Sequence, residues 1–243
     1  MNVAILFGRK NSKSIKNKNI LKVFSKPMFM YPIDAIKKVK EIDKMYVSSD
    51  SKYILEKSKK KGCIPINRPK FLCNDKALLE DAIQHAVNYC QKVNSNKIKN
   101  FIILLCNSIC VRHEDIKKGL KIINKSKKFD TITTISKFNN FSPVRTKKIT
   151  KGKLLNYIPN KDLKKFTPLS CDRDKSVHSY YCTQSFTISK ANVLKNMKKN
   201  PFPFNWMSKK STYIFQESCV GDIDFPWQLE ATKWWIKKHL RKN

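Results

Sequence analysis

Short apolar runs alternate with longer amphipathic stretches from the start of the chain to about residue 136. The apolar runs are rich in β-branched residues and are typical of strands, whereas the stretches between them have helical spacing. Strands are predicted at 3–7, 45–49, 63–67, 101–105 and 131–136, and helices at 28–40, 51–61, 78–93 and 113–125. This alternation predicts βαβ units, and therefore an α/β fold with a mostly parallel central sheet flanked by helices.

The fourth of these runs, FIILL at 101–105, is continuously apolar. A strand of this kind is buried on both faces, so we expect it near the centre of the sheet. Further along, 180–189 and 212–216 are predicted as strands and 226–240 as a closing helix. Ligands of such sheets bind beyond the carboxyl ends of the strands, so the loops that follow the strands are the first candidates for a site.

The alternation stops between residues 138 and 181, where Pro143, Gly152, Pro159 and Pro168 punctuate short mixed segments. This stretch is too long for a simple connection between two elements. We therefore expect residues 1–243 to form a single domain in which 138–181 is an inserted arm. Such an arm serves either oligomerisation or the covering of a site.

The composition is that of a globular domain with an unusual charge. Apolar residues make up 41% of the 243 residues, and Lys and Arg outnumber Asp and Glu by 51 to 18, which gives a formal net charge of +33 at pH 7. Such a charge makes a nucleic-acid-binding protein an alternative from another functional class. Only six of the basic residues are Arg, and the lysines are spread along the whole chain, so we expect no specific nucleic acid partner. The same field would concentrate a small anionic substrate.

The cysteines and the hydropathy of the chain indicate in which cellular compartment the protein is expected. The eight cysteines form no CxxC pair and mostly lie in apolar runs, which indicates packed thiols in a reducing environment. No stretch approaches the roughly 20 apolar residues of a membrane span, and the run at 3–7 is too short for a secretory signal. We therefore expect a cytoplasmic protein without a membrane partner.

A basic loop, RKNSKSIKNKNI at 9–20, follows the first predicted strand and Gly8. Neither GxGxxG nor GxxxxGK[ST] is present, so the loop lacks the dinucleotide and P-loop fingerprints. Its cations, hydroxyls and backbone N–H groups could together hold a triphosphate. On spacing alone, however, a solvated basic loop explains the sequence better.

Five segments, taken in order, resemble the motifs of one enzyme family. They are FGRKNSKSIKNKNI at 7–20, YVSSDSKYI at 46–54, INRPKFLCND at 66–75, LLCNSICVR at 104–112 and GDIDFPWQLEAT at 221–232. The chain is similar in all five to the CMP-sialic acid synthetase (acylneuraminate cytidylyltransferase) family. The resemblance implies a Rossmann-like nucleotidyltransferase that activates an acidic 2-keto-3-deoxy sugar, such as a sialic or other nonulosonic acid. The products would be the CMP-sugar and pyrophosphate from CTP.

The resemblance also assigns roles to residues of this chain. The family's nucleotide-binding positions fall on Arg9, Ser12, Lys18, Asn19 and Arg68. Of these, Arg9 and Lys18 would act in catalysis by stabilising charge on the departing pyrophosphate. The family's loop glycines are replaced by Asn11, Ser14 and Asn17, of which Asn tolerates a positive φ but less readily than Gly.

The family's metal-binding DxD motif falls on Asp222 and Asp224, which implies a catalytic Mg²⁺ or Mn²⁺. In an extended segment, residues two apart point to the same side, so the two carboxylates can approach one hard cation. The alternative is that these aspartates cap the helix predicted to begin at Pro226. The general base is not identified by the sequence.

The resemblance places Ser108, Arg145 and Arg173 at the sugar, with the arginines meeting its carboxylate from the arm of a homodimer. An ion-paired turn is the alternative for Arg173. The family's glutamine and proline before Ser108 are here Cys106 and Asn107, which weakens the case for sialic acid itself. Kdo and 8-amino-Kdo are therefore alternative acceptors, and a member that kept the fold but lost catalysis is a further alternative.

Overall fold

The computed structural model describes residues 1–11, 15–74, 76–139, 142–166, 168–172, 174–201 and 203–240. Within these ranges the strands are β1 (Asn2–Phe7), β2 (Lys22–Val23), β3 (Lys26–Pro27), β4 (Lys44–Ser49), β5 (Ile64–Asn67), β6 (Asn100–Leu105), β7 (Thr131–Lys137), β8 (Lys147–Thr150), β9 (Lys153–Asn156), β10 (Tyr180–Lys190) and β11 (Ser211–Phe215). The α-helices are α1 (Met30–Ile36), α2 (Lys52–Lys59), α3 (Leu79–Val93), α4 (His113–Lys125), α5 (Asn160–Leu163), α6 (Ala191–Lys195) and α7 (Pro226–His239). None of the helices described is long and apolar enough to cross a membrane.

Seven strands form the central sheet in the order β11-β7-β10-β6-β1-β4-β5. β10 runs antiparallel to β6 and β7, and the other strand pairs of this sheet are parallel. β6 is the middle strand and all of its residues are buried. The predicted α/β fold, with a mostly parallel sheet and 101–105 at its centre, is confirmed.

Different helices cover the two faces of the sheet. α1, α2 and α4 pack on one face around residues such as Leu6 and Leu104. α3 and α6 pack on the other face around Ile5 and Ile103, the neighbours of those residues along the same strands. This arrangement follows from the period of two in β1 and β6, which sends successive apolar side chains to opposite faces.

The ends of two helices differ from the prediction. α1 ends at Ile36 rather than near residue 40, because the backbone tightens: Lys38 N–H donates to Ala35 O and Val39 N–H donates to Ile36 O. α2 ends at Lys59, and Gly62 just beyond it has φ +79°, a conformation that favours glycine.

The described part of the predicted arm contains the hairpin β8–β9 and the single-turn helix α5. Ile149 and Leu154 are cross-strand partners in the hairpin and are 78% and 69% exposed. Most apolar side chains of the described arm therefore face solvent in the isolated chain, and the arm adds little to the core.

Candidate active site

A cleft of about 340 Å³ opens at the carboxyl ends of β1, β5 and β6. It brings together five of the residues singled out in the sequence: Arg9, Lys18, Asn19, Arg68 and Asp222. These residues come from distant parts of the chain, but the carboxyl ends of parallel strands meet at one edge of the sheet. The cleft is therefore the place where their chemistry can be combined.

The floor of the cleft depends on a close approach between two strand ends. A Cβ added at Gly8 would lie 2.4 Å from Sγ of Cys106, so no larger residue fits there without displacing the thiol. Cys106 is fully buried, and burial raises the pKa of its thiol to about 12. Cys106 is thus a packing residue and not a nucleophile.

The basic loop is held by polar contacts of its backbone. Asn19 Nδ2 donates to the carbonyl of Arg9 at 2.8 Å, and Lys10 N–H donates to Asp50 Oδ1 at 2.6 Å. The guanidinium of Arg9 donates from Nη1 to the carbonyl of Asn74 at 3.4 Å. Asn17, which replaces one of the glycines expected in this loop, adopts φ 55°. This left-handed conformation is one that asparagine tolerates. These contacts fix Arg9 and Lys10 at the start of the loop and Asn19 at its end.

Arg68 is buried beside β1 and β4, with 9% of its surface exposed. Its Nε donates to Ser48 Oγ at 3.2 Å and its Nη2 donates to Ser48 O at 2.8 Å. Burial lowers the pKa of Arg68, yet an arginine remains charged near neutrality. Arg68 is thus a fixed cation in the wall of the cleft.

The second charged wall comes from the loop before α7. Lys18 is 8% exposed, and its Nζ lies 2.5 Å from Oδ1 of Asp224. Burial, followed by the charge of Asp224, raises the pKa of Asp222 to about 6. Ile223 between them is fully buried and its N–H donates to Asn107 O at 3.0 Å. Ile223 thus turns into the core, whereas Asp222 and Asp224 on either side of it are half-buried.

The start of α7 is capped by Gln228, whose Oε1 accepts the backbone N–H groups of Asp224 and Phe225 at 2.8 Å. The carboxylate of Asp224 is instead paired with Lys18. In this structure Asp224 therefore does not serve as the helix cap considered from the sequence.

The aspartate pair can be tested against the needs of a divalent cation. Within the described ranges, no group of three or more His, Cys, Asp or Glu residues could hold a metal ion. Mg²⁺ is commonly bound through one or two carboxylates, with water and substrate phosphates completing its coordination. Burial, and after it the charge of Asp224, raises the pKa of Asp222, and a cation bound between the two carboxylates would offset both effects. Asp222 and Asp224 therefore fit a cation that arrives with a nucleotide, and do not fit a closed structural site.

Other predicted residues are not brought to this cleft. Ser108 is fully buried and its Oγ donates to Thr183 O at 3.4 Å. Arg145 is exposed and its Nη1 donates to Cys171 O at 2.9 Å. Ser12 and Arg173 lie outside the described residues.

The cleft also contains residues that sequence reasoning did not select. They are Phe7, Gly8, Asn11, Leu72, Asn74, Ala77, Leu78, Leu79, Leu105 and Asn107. Most of them lie within or next to the motifs quoted above, so their closeness to a motif in the sequence could have identified them as cleft residues. The apolar members form a surface against which a base or sugar ring can pack.

The sequence profile of the cytidylyltransferase family matches residues 3–155. This chain belongs to the cytidylyltransferase family. The match contains β1, the basic loop, Arg68 and β6, and thus most of the cleft. The family expected from the five motifs is confirmed.

Three curated relatives are more specific in name. A Helicobacter pylori protein, "Pseudaminic acid cytidylyltransferase and UDP-2,4-diacetamido-2,4,6-trideoxy-beta-L-altropyranose hydrolase", is 31% identical over 154 residues, which cover 62% of this chain and 28% of the relative. The N-acylneuraminate cytidylyltransferase of Escherichia coli is 26% identical over 142 residues, 58% of this chain and 33% of the relative. The pseudaminic acid cytidylyltransferase of Campylobacter jejuni is 30% identical over 131 residues, 53% of this chain and 56% of the relative. The matched region thus spans less than two thirds of each relative's length.

Two solved structures superpose on nearly the whole of this chain. A CMP:2-keto-3-deoxy-manno-octonic acid synthetase complexed with CTP superposes with a TM-score of 0.65 at 15% identity, over 98% of both chains. A 4-diphosphocytidyl-2C-methyl-D-erythritol synthase superposes with a TM-score of 0.64 at 10% identity, over 97% of both chains. At such identities the likeness concerns the fold, and it confirms the Rossmann-like nucleotidyltransferase architecture.

Proposed function

We propose that this protein transfers the cytidylyl group of CTP to an acidic 2-keto-3-deoxy sugar and releases pyrophosphate. The observation that carries the proposal is the cleft at the carboxyl edge of the sheet. Three cations, Arg9, Lys18 and Arg68, line it together with the carboxylate of Asp222. A triphosphate needs several fixed cations, and the family match supports CTP as the nucleotide.

In the reaction, the anomeric hydroxyl of the sugar attacks the α-phosphorus of CTP in line with the leaving pyrophosphate. The bond from the α-phosphorus to the attacking oxygen forms while the bond to the bridging oxygen breaks, and the proton of the hydroxyl passes to water. Little covalent work is required of the protein, so positioning and charge neutralisation dominate. Arg9 and Lys18 neutralise charge on the departing pyrophosphate, and Arg68, held by Ser48, supports the nucleotide from the wall of the cleft.

We propose that Asp222 and Asp224 hold Mg²⁺ or Mn²⁺, which when bound supplies positive charge to the phosphates. Lys18 balances the charge of Asp224 in the structure described. Its flexible side chain can turn from the carboxylate to a phosphate, since both are anionic partners for an ammonium group.

A nonulosonic acid is the proposed acceptor, because the relatives at 26–31% identity are named for pseudaminic and N-acylneuraminic acid. Kdo is the second candidate, since the name of a structural neighbour contains 2-keto-3-deoxy-manno-octonic acid. The two share a carboxylate next to the reacting carbon, so the cleft described does not distinguish them.

We propose further that the protein acts as a homodimer. The exposed pair Ile149 and Leu154 on the hairpin β8–β9 supports this, because a second copy would cover apolar surface that the single chain leaves in solvent. In that dimer the arm would bring Arg145 or Arg173 to the sugar carboxylate of the partner. Light scattering at micromolar concentration should show twice the mass of the chain, and a monomer would refute this part of the proposal.

The central test is pyrophosphate release from CTP in the presence of N-acetylneuraminic, pseudaminic, legionaminic acid, Kdo or 8-amino-Kdo. We expect release with at least one nonulosonic acid and CTP, and little with ATP, GTP or UTP. Activity with Kdo alone would show that Kdo, and not a nonulosonic acid, is the acceptor. Tight CTP binding without release for any acid would favour a family member that has lost catalysis.

A further inference from the structure

The loop that carries Asp222 packs closely against β10. Gly221, the residue before Asp222, is buried and has φ +79°. A Cβ at this position would lie 2.9 Å from the carbonyl oxygen of Thr183 and 3.3 Å from its Cα. Both the backbone conformation and the lack of space therefore require glycine at position 221.

The contact falls on an irregular stretch of β10. The pairing of β10 with β7 shifts register between Cys182 and Thr187, and Gln184 inside this stretch has φ 54°. Such a bulge interrupts the ladder and bends the strand. The loop of Asp222 thus rests on the bulge and not on a regular part of the sheet.

Thr183 is fully buried and is held from three directions. Its Oγ1 lies 2.7 Å from Oγ1 of Thr134 in β7 and donates to Oε1 of Gln216 at 3.1 Å. Its carbonyl oxygen accepts the hydroxyl of Ser108 at 3.4 Å. Thr183 is therefore a fixed support for the loop.

Gln216 extends this support to the rest of the site. Its Nε2 donates to Cys110 O at 3.2 Å and to Asp115 Oδ2 at 3.1 Å. Asp115 in turn accepts two hydrogen bonds from Arg112, both at 2.8 Å. The bulge, the segment after β6 and the start of α4 thus form one buried hydrogen-bonded network, which makes the support rigid.

The other side of the loop is held as well. Ile223 is fully buried, and its N–H donates to Asn107 O at 3.0 Å. Asp222 therefore lies between two neighbours, Gly221 and Ile223, that are each fixed against a different part of the protein. Its backbone has little freedom to move.

We infer that Gly221 is a positioning residue, whose close contact with the carbonyl of Thr183 sets the place of Asp222 for binding a divalent cation. The inference rests on the proposed function and deepens its metal-binding part. A side chain at position 221 would force either the loop or Thr183 to shift. Because Thr183 is held by the network, the loop is the part that moves, and Asp222 moves with it.

The experiment compares Gly221→Ala with the matched variant Gly62→Ala. Gly62 has the same φ of +79°, but nothing lies within 4 Å of its Cβ position, so its substitution causes the same backbone strain without the contact. Mn²⁺ affinity is measured by water-proton relaxation with saturating CTP, and CTP affinity is measured by calorimetry without metal.

Gly221→Ala should weaken Mn²⁺ binding by at least about tenfold, the usual effect of misplacing a metal ligand through its supporting contacts. The metal-free CTP affinity should stay within about twofold, because Arg9 and Arg68 lie on other walls of the cleft and distant sites act independently. Gly62→Ala should change neither affinity.

A double variant separates positioning from a general disturbance of the loop. In Asp222→Asn, which still offers Asp224 and the phosphates of CTP to the cation, adding Gly221→Ala should weaken Mn²⁺ binding by less than about twofold, because the ligand that Gly221 places is gone. An equal loss with and without Asp222 would overturn the inference.

Thr183→Val changes the support instead of the loop. It keeps the shape of the side chain but removes the hydroxyl that holds Thr183 to Thr134 and Gln216. Mn²⁺ binding should weaken by at least about threefold, since a buried network that has lost one member becomes looser. This variant gives the result if Gly221→Ala does not fold.

Unchanged Mn²⁺ affinity in Gly221→Ala, or in Thr183→Val where Gly221→Ala does not fold, would overturn the inference and leave the proposed function intact. A wild type that binds Mn²⁺ no more tightly than free CTP does would overturn the metal-binding part of the proposed function, and the inference with it.

Discussion

Lys18 Nζ and Asp224 Oδ1 lie 2.5 Å apart although 206 positions separate them in the sequence. The contact joins the basic loop, which lines the cleft through Lys18, to the loop before α7, which lines it through Asp222. Lys18 is almost fully buried, while the side chain of Asp224 is 50% exposed. The pair is therefore accessible to a ligand from the side of Asp224.

Lys18→Gln should lower kcat/KM for CTP by at least about tenfold, because it removes a cation from the leaving-group side of the cleft. The melting temperature should fall only slightly, since an ion pair with a half-exposed partner contributes at most about 1 kcal/mol. Lys26→Gln is the matched control: Lys26 forms a similar pair with Asp34 at 2.8 Å but does not line this cleft. Equal activity of the two variants would contradict the role of Lys18.

Arg9→Ala should reduce turnover by at least about tenfold and leave the melting temperature nearly unchanged, because a loop cation contributes to the site and not to the core. Its sequence neighbour provides the control. Lys10→Ala removes an exposed cation outside the cleft, and the structural contact of Lys10 with Asp50 is made by its backbone. If both variants lose activity equally, the effect comes from net charge and not from the cleft.

Asp222→Asn and Asp224→Asn should each lower turnover at limiting Mg²⁺ by at least about tenfold. Asp222→Asn should not lower the melting temperature at neutral pH, because burial and Asp224 already disfavour the charged carboxylate of Asp222. Asp34→Asn is the control, as Asp34 pairs with Lys26 elsewhere. Wild-type turnover of both Asp222→Asn and Asp224→Asn at limiting Mg²⁺ would refute the metal assignment.

The formal charge of +33 should give weak, salt-sensitive attraction to nucleic acid and no specific complex. We expect binding to DNA and RNA fragments at low salt to disappear near physiological salt, without preference for sequence. Fluorescence anisotropy across a salt series measures this directly. Submicromolar binding that persists at physiological salt would restore nucleic-acid binding as a function.

The sheet could be predicted from the sequence because strands and helices carry different apolar periods. The prediction for 180–189 as a strand is also confirmed, but its irregularity was not predicted. The pairing of β10 with β7 shifts register between Cys182 and Thr187, and Gln184 within this stretch has φ 54°. Neither Gly nor Pro marks the position, so the sequence contains no usual signal of a bulge.

The buried face of the last helix could not be predicted from composition. Trp235 is 1% exposed, whereas Trp227 and Trp234 of the same helix are 52% and 51% exposed. All three are large and apolar, and only the packing against Ile223 and Cys219 decides which of them is buried.

Among the site residues, the basic loop and Arg68 were predicted from the resemblance to the family's motifs. The outward turn of Asn107 and the inward turn of Ser108 depend on how the chain leaves β6, which no motif specifies.

The position of β10 in the sheet has a consequence for the nascent chain. β10 lies between β6 and β7 although it is synthesised after both. At usual rates of translation, residues 137–190 take roughly 3–10 s to be added, and during that time β6 and β7 present open edges. Open apolar edges favour pairing with other chains. The arm therefore sets the length of the interval in which the ribosome-bound chain is most exposed to aggregation, and shortening the arm would shorten that interval.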